Sequence, residues 1–139
     1  MYYQLLKKLT TSSFDQVLTD ASPFVAVLQP SEWLEKKEAF NIPIDMEFRI
    51  DSASSTKAEV NSDALTGTFK IPNRKDLLGP AIDFSFVLTD RGIIFIDQHD
   101  HASDLMASIE KSKKWKTPSL ERFLYDFLET IIKDDLSLL

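Results

Sequence analysis

The chain has 139 residues and a formal charge of −6, from 16 Lys and Arg against 22 Asp and Glu, with 43% hydrophobic residues and no cysteine. That apolar content, with ten Phe, three Tyr and two Trp, excludes a disordered chain and supplies one core, so a single domain over residues 1–139 is expected. The missing cysteines exclude disulfide frameworks, thiolate zinc sites and cysteine nucleophiles, and the acidic balance argues against a nucleic-acid partner.

The longest apolar runs, residues 24–28 and 93–96, fall far short of the roughly 18 residues that cross hydrocarbon. The start, Met1-Tyr2-Tyr3-Gln4-Leu5-Leu6-Lys7-Lys8, has no charged segment leading into an apolar run of signal-peptide length. Together these features lead to the expectation of a cytosolic domain.

Residues 1–9 mix aromatics and Leu without helix caps and predict a first strand, followed by the polar stretch 10–13 and a short weak element to Asp20. Pro23 introduces the apolar run 24–28, a buried strand closed by Gln29-Pro30. Ser31 reads as the N-cap of a short amphipathic helix carrying Glu32, Trp33, Leu34, Glu35 and Phe40. Asn41-Ile42-Pro43-Ile44-Asp45 predicts a second helix start that gathers Met46, Phe48 and Ile50 on one face, before the polar insert 51–56.

Two strands follow, 58–60 and 64–71, joined by a hairpin turn at 61–63. In the second, Leu65, Gly67 and Phe69 face one way and Thr66, Thr68 and Lys70 the other. After a linker at 72–80, residues 82–88 and 92–96 form another antiparallel pair around the tight turn Thr89-Asp90-Arg91-Gly92. Ser103 is the expected cap of a helix over 104–114, with Leu105, Met106 and Ile109 inward. Thr117-Pro118 then opens the last helix, where a proline's missing N–H costs nothing. Its apolar positions, Leu120, Phe123, Leu124, Phe127, Leu128, Ile131, Ile132, Leu136 and Leu139, make one stripe sustained for about five and a half turns. The end, Lys133-Asp134-Asp135-Leu136-Ser137-Leu138-Leu139, has no closing glycine and places two acids near the negative helix pole. A helix cut inside a longer one and an ordinary frayed terminus both fit that ending.

Three constellations could carry chemistry. Asp97-Gln98-His99-Asp100-His101 holds both histidines and has the ligand types for zinc or another divalent metal, but no third ligand at a defined spacing, so turn and cap duty is the expected role. Trp33 and Trp115 read as packing residues at helix faces or element ends. The basic run 111–116 reads as a solvated helix end that complements its dipole. No glycine-rich phosphate loop, nucleophile elbow or paired-histidine metalloprotease motif is present, so an enzyme is not expected.

Five segments in order resemble the N-terminal cytosolic domain of CorA-like magnesium and divalent-cation transporters, from about Phe24 onward. They are residues 24–31, ending in polar-Pro-Ser; Ala39-Phe40-Asn41-Ile42-Pro43-Ile44-Asp45; the passage from Lys57-Ala58-Glu59-Val60 to Ile71-Pro72; the hairpin of residues 85–96; and Phe123-Leu124-Tyr125-Asp126-Phe127-Leu128-Glu129-Thr130-Ile131-Ile132-Lys133-Asp134-Asp135. The last is similar to the family's Y-L-L-Y-x-L-L-D-A-I-V-D-D segment.

The resemblance implies an α/β (α+β) fold, an αβα sandwich with a mixed sheet, whose last helix, residues 117–139, begins a stalk toward the membrane. It therefore implies the open-ended helix rather than the frayed one. The family's pore, two C-terminal membrane helices with a Gly-Met-Asn signature, is absent from these residues. Family members assemble as pentamers, and carboxylates between cytosolic domains bind the regulatory ion. Asp134 and Asp135 match the acidic pair near the stalk start and are the implied metal-facing residues. The family's other acidic pair falls near Met46-Glu47-Phe48-Arg49, where one Glu sits beside an Arg instead. The implied function is regulation and assembly of a divalent-ion transporter at the cytoplasmic face of the membrane. No cofactor is required beyond a regulatory Mg²⁺ or similar cation. The implied partners are copies of itself and divalent cations, with the membrane reached only through helices outside these residues, and no nucleic acid. Two alternatives remain: a stand-alone interaction module using the apolar stripe of residues 120–139, and a small metal hydrolase centred on His99 and His101.

Overall fold

A computed structural model describes residues 1–40, 57–61, 64–71 and 82–136, with side chains at 1–40, 65–70 and 83–132. The expected helix start at Asn41, the insert 51–56, the turn at 62–63 and the linker 72–80 lie outside the described residues.

The N-terminal segment is a hairpin rather than the single strand expected over 1–9. Strand β1 (Tyr2–Leu5) pairs antiparallel with β2 (Leu9–Ser12), Leu5 opposite Leu9. Leu6-Lys7-Lys8 forms the turn, the Leu6 N–H donating to the Lys8 carbonyl at 3.3 Å. The stretch taken as a polar break is itself β2, because the β-branched Thr10 and Thr11 suit a pleated edge. Helix α1 (Phe14–Thr19) follows as the short element expected there, with the Ser13 hydroxyl accepting from the Gln16 N–H at 3.2 Å.

Strand β3 (Phe24–Leu28) is buried along its whole length, as its apolar run demands. Helix α2 (Pro30–Lys36) starts earlier than expected: Gln29, not Ser31, is the N-cap. Its extended backbone suits a residue preceding proline, and the Glu32 carboxylate accepts from the Gln29 N–H at 3.2 Å. Lys36 in the last turn donates to the Tyr2 hydroxyl at 3.1 Å and stands 4.6 Å from the Phe14 ring centre. The Tyr2 hydroxyl is the main reason the Lys36 ammonium titrates above its ordinary range.

The two expected hairpins form. β4 (Lys57–Asn61) pairs antiparallel with β5 (Ala64–Ile71), and β6 (Ile82–Leu88) with β7 (Gly92–Ile96). Asn61, expected in the turn, instead closes the ladder opposite Ala64. The sheet order is β2-β1-β3-β7-β6-β5-β4; β3 and β7 run parallel and the other described pairs antiparallel, which makes the sheet mixed.

Strand alternation distributes the core between two faces. Val25, Val27, Phe84, Phe86, Ile93 and Phe95 point to one face, where α3 (His101–Ser112) adds Ala102, Met106 and Ile109 and α4 (Leu120–Leu136) adds Phe123, Phe127 and Ile131. Phe24, Ala26, Leu28, Val87, Ile94 and Ile96 point to the other, against Val17 of α1 and Trp33 of α2. The result is the αβα sandwich expected from the sequence. Leu65 and Phe69 of β5 pack on the first face, as their alternation implied, while the Thr68 and Ser85 hydroxyls meet at 3.2 Å on the second.

Both late helices begin away from their expected caps. α3 starts at His101 because the buried Asp97 carboxylate accepts from the His99 N–H at 3.0 Å and the Ala102 N–H at 2.5 Å, so Ser103 is not its cap. α4 starts at Leu120, after Pro118, because the Ser119 hydroxyl accepts from the Arg122 N–H at 3.1 Å.

The β6–β7 turn serves a neighbouring helix as well as its own strands. The Arg91 guanidinium donates to the carbonyls of Val17, Leu18 and Asp20 at 3.2–3.4 Å and closes the C-terminal end of α1, where a cation suits the exposed carbonyls. Gly92 is needed for a reason other than turn conformation. Its φ is not positive, but a Cβ there would lie 2.6 Å from both the carbonyl oxygen and the ring of Phe24, its partner on β3. Gly92→Ala is therefore expected to cost about 1–3 kcal/mol. A thermal melt followed by circular dichroism checks this, and an unchanged midpoint would refute the close approach.

Candidate functional surfaces

Helix α4 carries the residues that the sequence singled out, and its geometry divides its apolar stripe in two. Phe123, Phe127 and Ile131 are buried and Leu120 and Leu124 pack partly beneath them, whereas Leu128 and Ile132 are exposed together with Tyr125. Residues three and four apart share a helix face, so Tyr125, Leu128 and Ile132 form an outward apolar edge. The Arg122 guanidinium lies 5.3 Å from the Tyr125 ring centre at one end of that edge. The one apolar stripe expected from the sequence thus divides into a buried face and a solvent-facing edge. Asp134 and Asp135 lie in the last turns of α4, beyond the described side chains. Met46, Glu47, Phe48 and Arg49 lie outside the described residues altogether.

The other side of α4 is fastened to the connector that precedes it. Trp115, buried in the core, donates its indole N–H to the Asp126 carboxylate at 2.6 Å, and Asp126 is itself only 3% exposed. Lys113 reaches the same cluster, 3.9 Å from Asp126 and 3.0 Å from Glu129. The backbone of Trp115 donates to the Lys7 carbonyl at 2.6 Å, so the connector is held to the β1–β2 turn as well. The sequence reading placed Trp115 correctly as an element-end packing residue but missed its carboxylate partner. The available signal was an acid at position 126, between two core phenylalanines. Above β1, burial and then the nearby Glu110 carboxylate push the Tyr3 phenol above its ordinary pKa.

The loop from Asp97 to His101 leaves the C-terminal end of β7. Its first acid is a buried structural cap, and the two imidazole centres stand 5.9 Å apart. Asp100 between them adopts left-handed backbone, φ 61°, which aspartate tolerates better than most residues. Among the described residues no three His, Asp or Glu side chains converge on a point where an ion could be held. The helix-end reading of the basic run holds: α3 closes at Ser112 with Lys111 in its last turn, and Lys114 and Lys116 are exposed.

No protein-family profile matches the chain, and no curated protein matches it in sequence. Among solved structures, the full-length CmaX protein matches with a TM-score of 0.63 at 12% identity, covering 99% of this chain and 46% of that one. The chain therefore spans less than half the length of CmaX, and at this identity the likeness is one of fold. Among the described residues no helix is long and apolar enough to cross a membrane.

Proposed function

We propose that the chain is the cytosolic regulatory and assembly domain of a CorA-like transporter of Mg²⁺ or another divalent cation, on the reading that CmaX is itself a CorA-family transporter. The observation that carries this proposal is the fold likeness to full-length CmaX, which covers 99% of the chain. In this reading the domain is not an enzyme, needs no cofactor and binds no nucleic acid. It lies at the cytoplasmic face of the membrane and packs against its own copies, as a pentamer in the full-length protein. Asp134 and Asp135 near the end of α4 are its metal-facing residues.

Electrostatics supply the coupling. Carboxylates brought together between copies repel until a divalent cation bridges them, so loss of the ion frees the interface and, through α4, the pore. Mg²⁺ keeps most of its waters and takes one or two carboxylates, a demand that an acidic pair can meet. The exposed edge of Tyr125, Leu128 and Ile132 favours a second reading, a stand-alone interaction module docking through α4.

Two measurements separate these readings. In the transporter reading, the gene that encodes this chain also encodes two apolar spans with a Gly-Met-Asn signature downstream, and Mg²⁺ slows hydrogen exchange along α4 in the full-length protein. A reading frame without such spans removes the transporter and leaves the interaction module.

A further inference from the structure

The parallel pair β3 and β7 creates a position that no local sequence signal marks. After Leu28, β3 leads through Gln29 into α2 on one face of the sheet; after Ile96, β7 leads through Asp97 into α3 on the other. Adjacent parallel strands whose following helices lie on opposite faces open a crevice outside their carboxyl ends, the place where open α/β sheets bind ligands. The Asp97 N–H donates to the Leu28 carbonyl at 2.9 Å and keeps the two strand ends together there. Both histidines of the chain leave β7 at this point.

We propose that His99 and His101 form a two-imidazole site for a borderline divalent cation of the zinc, nickel and copper class at this switch point. Three observations carry the proposal. The rings already stand side by side, their centres 5.9 Å apart and their planes inclined by 53°, whereas a tetrahedral ion with bonds of about 2.0–2.1 Å would hold two ring centres about 5 Å apart. The required approach is a side-chain adjustment, not a loop rearrangement. Next, among the described residues neither imidazole has a hydrogen-bond or ion-pair partner that would occupy its nitrogens. Finally, the backbone around them is fixed: the Asp97 carboxylate holds the N–H groups of His99 and Ala102, and Asp100 between the two rings takes a left-handed conformation.

The positive end of α3 opposes a cation here, and Asp100 and Asp104 beside it offset that field. Imidazole nitrogens select borderline metals over Mg²⁺, which takes oxygen ligands. Two protein ligands leave the remaining positions to water, so micromolar rather than structural affinity is expected. The site is separate from the acidic pair on α4 and does not depend on the transporter reading.

The test titrates Zn²⁺, Ni²⁺ and Mg²⁺ separately into the 139-residue chain, following heat and the imidazole nitrogen resonances. One equivalent of Zn²⁺ or Ni²⁺ is expected to shift both rings while Mg²⁺ moves neither. His99→Gln and His101→Gln are each expected to weaken Zn²⁺ binding about tenfold or more, since even the loss of an outer-shell partner costs about 10–100-fold in metal affinity. Resonances unmoved by Zn²⁺ in the native chain overturn the proposal, and so does native affinity in both variants.

Discussion

Truncating Phe127 to alanine is expected to remove about 3–5 kcal/mol of folding stability, the range for loss of a fully buried aromatic ring. The Phe127 ring lies 4.8 Å from that of Phe95, 5.6 Å from Phe69, 6.1 Å from Phe123 and 6.2 Å from Phe84. It therefore joins α4 to three strands of the sheet at once. These ring neighbours are themselves held in strands and in α4, so they resist collapsing into the space it leaves. Domains of this kind are stable by about 5–15 kcal/mol, so the variant should sit near the edge of folding at 37 °C. The measurement is urea unfolding, with a lowered midpoint and an unchanged slope. Leu128→Ala, one residue along on the exposed edge, should cost less than about 1 kcal/mol. Equal costs for the two would mean that α4 does not dock through the face described here.

The contrast between those two neighbouring residues shows what a sequence can and cannot disclose. A rhythm of nine apolar positions declared a long amphipathic helix, and α4 exists. The stripe is wider than the face that the sheet covers, however, and which positions turn outward depends on the neighbours opposite, here Phe69, Phe84 and Phe95. Continuous apolar runs flagged β3 and β7, and the turn between Thr89 and Gly92 set the β6–β7 register. These elements were legible because burial on both faces leaves few alternatives to Val, Ile and Phe. Helix starts were less so. Gln29 and Asp100 stand at the N-caps of α2 and α3 in place of Ser31 and Ser103, and the first N–H groups are met by side chains from nearby positions, Glu32 at α2, Asp97 at α3 and Ser119 at α4. The N-terminal hairpin was hidden because three residues, Leu6 to Lys8, suffice to reverse the chain without a glycine or proline.

The candidate sites were legible to different degrees for the same reason. Asp134 and Asp135 came from the resemblance and not from any local pattern. The histidine loop stood out in the sequence, yet its place beside the end of β3 comes from the strand order, β3 beside β7, which joins residues 68 positions apart. The fastening of α4 is also long-range in character: Trp115 and Asp126 belong to different elements, and only their packing brings an indole N–H to a carboxylate.

That fastening has the second large effect. Trp115→Phe keeps a buried ring but leaves the Asp126 carboxylate without its 2.6 Å donor, and a hydrogen bond to a charged group is worth about 1.5–3 kcal/mol. Lys113 does not substitute for it, being 3.9 Å away, partly exposed and already engaged with Glu129. Asp126→Leu leaves the opposite partner unmet, an indole N–H in the core, at a cost of about 1–3 kcal/mol. The asymmetry becomes visible when both are changed. Trp115→Phe with Asp126→Leu removes donor and acceptor together and replaces them with apolar groups, so the double variant should be more stable than the sum of the single costs predicts, by about 0.5–3 kcal/mol. Hydrogen exchange locates the effect: each single variant should loosen α4 and the β1–β2 turn together, because the Trp115 backbone also holds the Lys7 carbonyl. In the transporter reading α4 is the output element, so this fastening sets how far it moves independently of the sheet. Additive single costs, with exchange changed in α4 alone, would show that the indole and the carboxylate merely share a location and that the connector transmits nothing to the hairpin.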